Sequence, residues 1–437
     1  MPRTLLCSAA LALLALPARA DQTGTSSETL IRLTVRPAAA PKPALRYLLL
    51  PELKELNPGN PIPNYLKCLM DQDFTADREV LGAAALRRAD QAARLDKPDW
   101  QILQKVKTDG IGLLLPDLQK MRELASALQD RFRTEVAQRR FDDALRTAKT
   151  MFAMSRHMSE HPTLIGDLIG MAIAFMTFTP LEEMLEQPGC PNLYWALTNL
   201  PSPLVPLDKG MEGERVLILA ELPGLSDETP MNKAQIKKLV AHLDKLRALE
   251  DKPIKKTTRA WLDERTRDEA LVRAARSRLV EVGIPESRLL RFPADQVILL
   301  DEKRSYEVSR DEGMKVMKLP TWQAEALIGH VKLSRGEGLF GFLVPAIIKV
   351  RRAQGRLEQR IALLRHVEAL RMYAAAHDGK LPAKLSDCPV PLPEDPFTGK
   401  PFRYEVDGAT AHLRGSPPAG EPKNPVYNVH FEITIRK

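Results

Sequence analysis

Hydrophobic and polar residues alternate with period two from Thr29 to Arg36, with Ile31, Leu33 and Val35 on one side and Arg32, Thr34 and Arg36 on the other. Successive strand side chains point to opposite faces, so this segment reads as a half-buried β-strand. Pro37 to Pro43 is a Pro/Ala linker and Asn57-Pro58-Gly59-Asn60-Pro61 is turn-rich, so ordered loops are expected to residue 74. From about Thr75 to Arg335 the period becomes helical. In Asp117 to Arg140 the apolar residues Leu118, Met121, Leu124, Ala125, Leu128, Phe132 and Val136 recur at threes and fours, which places one buried stripe on a charged helix. Phe141 to Met158 comes after a short connection, so the two helices are expected as an antiparallel hairpin. Leu168 to Leu181 is apolar all round between Asp167 and Glu182. That run is shorter than the roughly 20 residues of a membrane span and predicts a central core helix.

The last hundred residues change character. A long amphipathic helix from about Arg352 to His377 is expected to turn Leu357, Ile361, Leu364, Val367 and Leu370 inward and Arg352, Arg356, Arg360 and Arg371 outward, with Gly379 ending it. Phe402 to Val406 and Ala409 to Leu413 flank Asp407-Gly408, a two-residue hairpin signal. Tyr427 to Ile435 alternates again and predicts a further strand. The strand at Thr29 to Arg36 has no neighbour in sequence, so its backbone groups need a partner, and Tyr427 to Ile435 is the candidate. The fold class expected is mainly α (α+β): a helical-hairpin body with a small C-terminal α+β module whose sheet includes the N-terminal strand. The units are a leader at 1–20, the strand and extended segment at 21–74, the helical body at 75–335, and the long helix with its β module at 336–437.

Composition narrows the class. The chain has 437 residues, enough for two to four packed units, and its 44% hydrophobic and 27% charged residues exclude both a disordered chain and a membrane bundle. Aromatics at 5% and 35 Pro against 23 Gly suit many helices joined by Pro-punctuated connections. Formal charge is +8, and taking Arg3 and Arg19 from the 64 Lys and Arg leaves an excess of only six over the 56 Asp and Glu. Basic and acidic residues are interspersed, as in 243–256 and 262–278, which is the look of solvated helix faces. Nucleic-acid binding needs a concentrated basic stripe with stacking aromatics, so no nucleic-acid partner is expected.

Residues 1–20 have the form of a secretory signal: Arg3 supplies positive charge, Thr4 to Ala18 is uncharged and mostly apolar, and Ala18-Arg19-Ala20 matches a small-residue cleavage site. The mature chain then begins at Asp21 and is periplasmic or secreted, with no transmembrane anchor after signal removal. Cys7 precedes most of the apolar run, which argues against a lipoprotein. Cys68, Cys190 and Cys388 are spaced too widely for a redox pair or a zinc knuckle and read as buried small hydrophobes, with one disulfide plus one free thiol as the alternative.

The sharpest chemical pattern is His157-Met158-Ser159-Glu160-His161. In inverted zinc peptidases two His one helical turn apart bind zinc and the Glu activates water, with a distant carboxylate completing the site. Glu212, Glu214 and Glu221 are available for that place. Pro162 directly adjoins His161 and displaces it from helical geometry, so a plain helix end is expected here. Gly336-Glu337-Gly338-Leu339-Phe340-Gly341 satisfies G-x-G-x-x-G by letter but lacks a preceding strand, and Pro345 interrupts the downstream segment, so it reads as a joint. Glu182-Glu183 and Asp142-Asp143 read as solvated charge, and His242, His330, His366, His412 and His430 as scattered single residues. No catalytic, cofactor or metal residue is therefore assigned, and no cofactor is expected.

Two resemblances bear on function. Ala369-Leu370-Arg371-Met372-Tyr373, His377-Asp378-Gly379-Lys380-Leu381-Pro382, and Asp395-Pro396-Phe397-Thr398-Gly399-Lys400-Pro401-Phe402 with Tyr404 resemble, over roughly 75 residues, the globular part of type II secretion major pseudopilins. In that family a long helix ends at a D-G-x-x-P corner and a D-P segment leads into the sheet. The family's prepilin leader, apolar stem and acidic calcium loop have no counterpart here. Arg46 to Pro51, Gln187 to Leu197 and Gln354-Gly355-Arg356-Leu357 are similar to a family of exported proteins abundant in planctomycete-type bacteria, which implies an envelope location and no particular activity. The function expected is a non-catalytic envelope interaction or scaffold protein with envelope or secreted protein partners. The alternatives are a metal-dependent hydrolase using His157, Glu160 and His161, and a component of a secretion or pilus-like assembly. N-terminal sequencing of the protein recovered from the envelope fraction is expected to begin at Asp21; a sequence retaining the apolar run would overturn the export reading.

Overall fold

The alternating segment at the start of the chain is strand β1 (Thr29–Val35) in the computed structural model, which describes residues 28–69, 82–110, 113, 115–222, 224–247, 256–328, 338–339 and 344–436. The leader at 1–20 with Cys7, His330, and all of the Gly336 to Gly341 run except Gly338 and Leu339 lie outside these residues. Strands β2 (Arg403–Asp407), β3 (Thr410–Arg414) and β4 (Val429–Ile435) complete a four-stranded sheet of order β1-β4-β3-β2. β1 and β4 pair in parallel, with Thr29 opposite Val429 and Val35 opposite Ile435, so segments from the two ends of the chain share one sheet as expected. The other two pairs are antiparallel. The hairpin turn falls on Gly408-Ala409, one residue later than the sequence signal, because Gly408 takes the first turn position with φ +58°. Ile31, Leu33, Phe431, Ile433, Ala411 and Leu413 line the buried face. At the outer edge the Thr34 N–H donates to Glu186 Oε1 at 3.1 Å, so one exposed strand donor is satisfied by the body.

A short helix, α1 (Ile62–Lys67), falls within the segment expected as loops and packs Ile62 and Tyr65 into the core, and α2 (Gly82–Ala92) and α3 (Leu103–Asp109) follow. Three long helices come next: α4 (Pro116–Ala137), α5 (Phe141–Met158) and α6 (Leu164–Leu185). The stripe from Leu118 to Val136 is buried, and α4 and α5 pack together across their short connection. α6 is apolar and long enough to cross a membrane by length and composition alone, yet it is 89% buried over its most apolar stretch, at the centre of α4, α5 and later helices. Its first turn is capped by the Thr163 side chain, which accepts from the Gly166 N–H.

The chain continues through α7 (Tyr194–Thr198), α8 (Asp208–Glu221), α9 (Lys233–Arg247), α10 (Thr258–Arg267), α11 (Glu269–Glu281), α12 (Glu286–Leu289), α13 (Ala294–Val316) and α14 (Thr321–Ile328) to the long α15 (Val344–Ala376). The described apolar residues form two main cores. One joins α1 to α8 with α15 and the sheet, and the other, built on Trp261, Leu262, Leu279, Leu289 and Val297, joins α9 to α13. The region 75–335 thus contains two packed groups of helices, the first continuous with the C-terminal module.

Helix α15 differs most from its expected form. It lies between the sheet, α6 and the segment around Cys190, so the arginines expected in solvent are largely enclosed. Arg371 is only 1% exposed. Its guanidinium meets Glu368 Oε2 at 2.8 Å and donates to the carbonyls of Arg36 at 2.9 Å, Cys190 at 2.9 Å and Pro191 at 3.3 Å. Ala38 returns its N–H to Arg371 O, and Asn192 Nδ2 donates to both Ala38 O and Glu368 O. Arg360 pairs with Glu182 at 2.7 Å and lies over the Phe431 ring, so Glu182 is buried charge rather than solvated charge. Arg352 forks onto both oxygens of Glu325 at 2.9 and 3.0 Å. Composition could not separate these arginines from solvated ones, because Glu325 and Glu182 lie far away in sequence and Arg371 is held largely by backbone carbonyls of distant segments.

Cys68 and Cys190 are buried and Cys388 half-buried, and all three are free thiols rather than a disulfide and a thiol. Burial pushes the Cys190 thiol up to about 12. Removing one member of a buried ion pair leaves the other charge uncompensated, which costs about 3–5 kcal/mol. Arg371→Met is therefore expected to lower unfolding stability by about that amount in a urea titration, with Arg371→Met/Glu368→Leu recovering part of it. A loss below about 1 kcal/mol, within the range of ordinary surface pairs, would overturn this account of the hub.

Candidate functional site

Three separated segments meet along one face of α15. On that face Arg351, Gln354, Glu358, Ile361, Ala362 and Arg365 recur at helical spacing and line one side of a cleft of about 620 Å³. The loop from Leu197 to Asp208, the corner from Met317 to Trp322 between α13 and α14, and the loop from Pro393 to Pro396 form the other walls. Pro201, Pro203, Pro206, Pro320, Pro393 and Pro396 stand in these walls. Proline fixes φ and carries no N–H, so the walls are stiff and poor in hydrogen-bond donors. Trp322, 42% exposed at the rim, rests against Gly399, whose missing Cβ would stand 3.0 Å from the indole. Gly399 also has φ +61°, so both the close approach and the backbone conformation favour glycine there.

The polar groups of the cleft are bonded to one another. Arg351 donates to Gln354 Oε1 at 2.6 Å and to Leu319 O at 3.0 Å, and its guanidinium lies 3.5 Å from Glu358 Oε1. Gln354 Nε2 donates to Val205 O at 2.7 Å, and Thr321 Oγ1 donates to Glu358 Oε2 at 2.6 Å. This chain of contacts ties two of the walls, the 197–208 loop and the 317–322 corner, to α15. A Lys318–Asp208 ion pair joins the corner to the start of α8. Arg365 stands apart: its guanidinium lies 5.4 Å from the Tyr194 ring centre and 3.4 Å from the Tyr194 hydroxyl, and no carboxylate among the described residues pairs with it. The lining residues include neither histidine nor cysteine. What the arrangement offers is a stiff, partly apolar trough with a bonded polar floor and one arginine held by an aromatic ring.

The His157 to His161 pattern lies elsewhere. α5 ends at Met158, so His161 falls beyond the helix as the adjoining proline dictates. His157 Nδ1 faces the Tyr65 hydroxyl at 3.1 Å, whereas His161 Nδ1 faces Thr163 Oγ1 at 2.8 Å and its ring stands edge-on to Trp100. Glu160 is exposed, Glu212 approaches Lys209 at 3.7 Å, and the side chain of Glu221 lies outside the described residues. No three His, Cys, Asp or Glu among the described residues are placed to hold a metal ion. Burial, helped by Arg156, pushes the His157 imidazole down to about 4, and burial pushes the Tyr65 phenol up. At neutral pH the phenol therefore donates to a neutral imidazole. Nearby Asp167 is fully buried beneath α8, where Gly210 leaves room for its Oδ2. Burial, with the charges of Glu214 and Glu160, raises that carboxyl well above its usual range, and neither oxygen has a hydrogen-bond partner among the described residues.

Sequence reasoning misses two groupings. Arg365 is invisible to it, because nothing in the helical pattern separates this residue from its neighbours. His412 and His430, expected as scattered, are brought together by the β3–β4 register: His412 Nδ1 lies 3.1 Å from His430 Nε2, and His430 Nδ1 lies 3.2 Å from Glu28. Only the strand pairing could have revealed this, since the two imidazoles are diagonal neighbours on one sheet face. Comparisons with known protein families, with curated proteins and with solved structures find no match to this chain.

Burial also pushes His366 down to about 4. An unfolded histidine protonates near 6.5, so between that value and about 4 the unfolded state gains protons that the folded state refuses, and each residue lowers stability as pH falls. The effect reaches roughly 3 kcal/mol per histidine once the lower value is passed. Asp167 acts in the opposite sense, because its carboxyl is protonated when folded and ionised when unfolded above its ordinary range. The variant difference isolates one group: the urea-stability deficit of His157→Gln relative to the parent is expected to shrink from pH 7 to pH 5. A deficit independent of pH would show that His157 is not held neutral.

Proposed function

We propose that this chain is an exported, non-catalytic interaction protein of the cell envelope, and that the cleft holds an extended segment of an envelope or secreted protein partner. One observation carries the reading: the cleft runs along α15 from Arg351 to Arg365, and its floor is bonded to itself rather than gathered on a reacting point. From Arg351 to Arg365 α15 advances about 21 Å at 1.5 Å per residue. An extended chain covers about 3.3 Å per residue, so the trough accommodates roughly six residues. The proline walls support the same reading, since a site already fixed in shape loses little conformational freedom on binding. Donors at the rim, including the exposed Trp322 and Ser202, would meet carbonyls of the bound segment. A component of a secretion assembly is a narrower form of this proposal. It is supported by the order of α15, the Asp395 loop and the sheet, together with the pseudopilin resemblance.

The test is photo-crosslinking in the native envelope, with a benzophenone amino acid placed in turn at Ser202, Trp322 and Glu394 and at exposed Val282 on the second core as control. The expected result is one adduct shared by the three cleft positions, mapping by mass spectrometry to one contiguous partner segment and absent from Val282. Adducts that scatter over unrelated proteins, or that match the control, would overturn the proposal.

A further inference from the structure

We infer that the segment bound in the cleft carries a carboxylate, and that Arg365 receives it. The inference rests on the reading of the cleft as a peptide groove and adds the chemistry by which that groove selects its partner. Four of the other five arginines of α15 set a rule, while the fifth, Arg356, lies over the rings of Phe175 and Tyr427. Arg351 lies 3.5 Å from Glu358, Arg352 2.9 Å from Glu325, Arg360 2.7 Å from Glu182 and Arg371 2.8 Å from Glu368. Each of these guanidinium groups, withdrawn from water, is matched by an acid, as the cost of desolvating a charge demands.

Arg365 breaks that rule on the wall of the cleft. It is half-buried, it forms no ion pair among the described residues, and its Nε is buried without a hydrogen-bond partner there. Its polar contact is with the Tyr194 hydroxyl at 3.4 Å, and the Tyr194 ring lies 5.4 Å from its guanidinium carbon. The Tyr194 hydroxyl itself donates to Pro391 O, so the ring is fixed in place. The guanidinium is therefore oriented by an aromatic surface, partly stripped of water, and lacks a counter-charge among the described residues. Of the acids lining the cleft, Asp208 is paired with Lys318 at the far end, Glu358 is held by Arg351 and Thr321, and Glu394 is exposed at the rim without reaching Arg365.

A planar guanidinium in this condition prefers a carboxylate, which accepts two parallel N–H groups and restores charge balance. An amide or hydroxyl would supply acceptors but no charge. An Asp or Glu side chain, or a free carboxyl terminus, brought along the trough to the Pro393 end meets this requirement. The donor-poor proline walls leave the rest of the segment to apolar contact and to backbone carbonyls at the rim donors, neither of which distinguishes one register from another, so the acid becomes the feature that sets register. Lys318 at the opposite end is already paired with Asp208, so among the described lining residues one cation is left to receive an anion, which gives the groove a direction.

The experiment uses the mature chain, Asp21 to Lys437, and a hexapeptide library displayed on phage, with fluorescence anisotropy of a labelled consensus hexapeptide as the second step. The parent is expected to enrich apolar hexapeptides with Asp or Glu at one fixed place. Arg365→Met should weaken the consensus peptide by about tenfold or more, and the peptide's own acid-to-amide version should bind the parent with a similar loss. Arg365→Lys, which keeps the charge, should retain the acidic preference with reduced affinity, and urea titration verifies that both variants are folded. Enriched apolar peptides with no fixed acid, bound equally by the parent and Arg365→Met and lost in Trp322→Ala, would overturn the inference while leaving the groove intact. Failure to enrich any peptide above the Trp322→Ala control would overturn the groove reading and the inference with it.

Discussion

A single buried guanidinium organises this molecule. Arg371 sits where the exit of the first strand, the Cys190-Pro191-Asn192 segment and the long C-terminal helix converge, and it supplies donors to all three. A guanidinium in such a place is costly unless every face is met, and here one carboxylate and three main-chain carbonyls meet it. The effect extends outward. Asn192, held against Glu368 O and Ala38 O, accepts the Tyr194 N–H, and Tyr194 in turn backs Arg365 and anchors Pro391. One end of the cleft is thus set by an interaction several residues away from it.

The long helix serves two neighbours at once. On one side Arg360 and Arg356 lie over the rings of Phe431, Phe175 and Tyr427, joining α6 to the sheet through stems and guanidinium faces. On another side the Arg351 to Arg365 stripe lines the trough. Since the same helix carries sheet, body and cleft, none of the three can shift without disturbing the others. That explains why the first core runs without a break from the early helices into the C-terminal module.

Much of this architecture is legible from residue order. The alternation at Ile31, Leu33 and Val35, the hairpin around Gly408 and the alternation ending at Ile435 mark the strands, because period two survives without tertiary context. The pairing of the first and last strands comes from an accounting of backbone donors. The stripe from Leu118 to Val136 and the uniformly apolar α6 are equally plain. The fate of charge is not. Glu182 and Glu183 look alike in sequence, yet the first is buried against Arg360 and the second half-buried beside Arg133. A periodicity records which residues are apolar and says nothing about a charge whose partner lies 178 residues away. The cleft is illegible for a related reason: it exists only where four distant segments meet.

The parallel pairing of residues 29–35 with residues 429–435 has a temporal side. A ribosome adding about 5–20 residues per second makes the first strand tens of seconds before its hydrogen-bonding neighbour exists. Throughout that interval an apolar-faced β segment waits with unmatched amides, exposed to wrong pairings. Chaperone occupancy of that segment, or passage across a membrane in unfolded form, would bridge the delay, and the final strand then acts as the latch that closes the sheet.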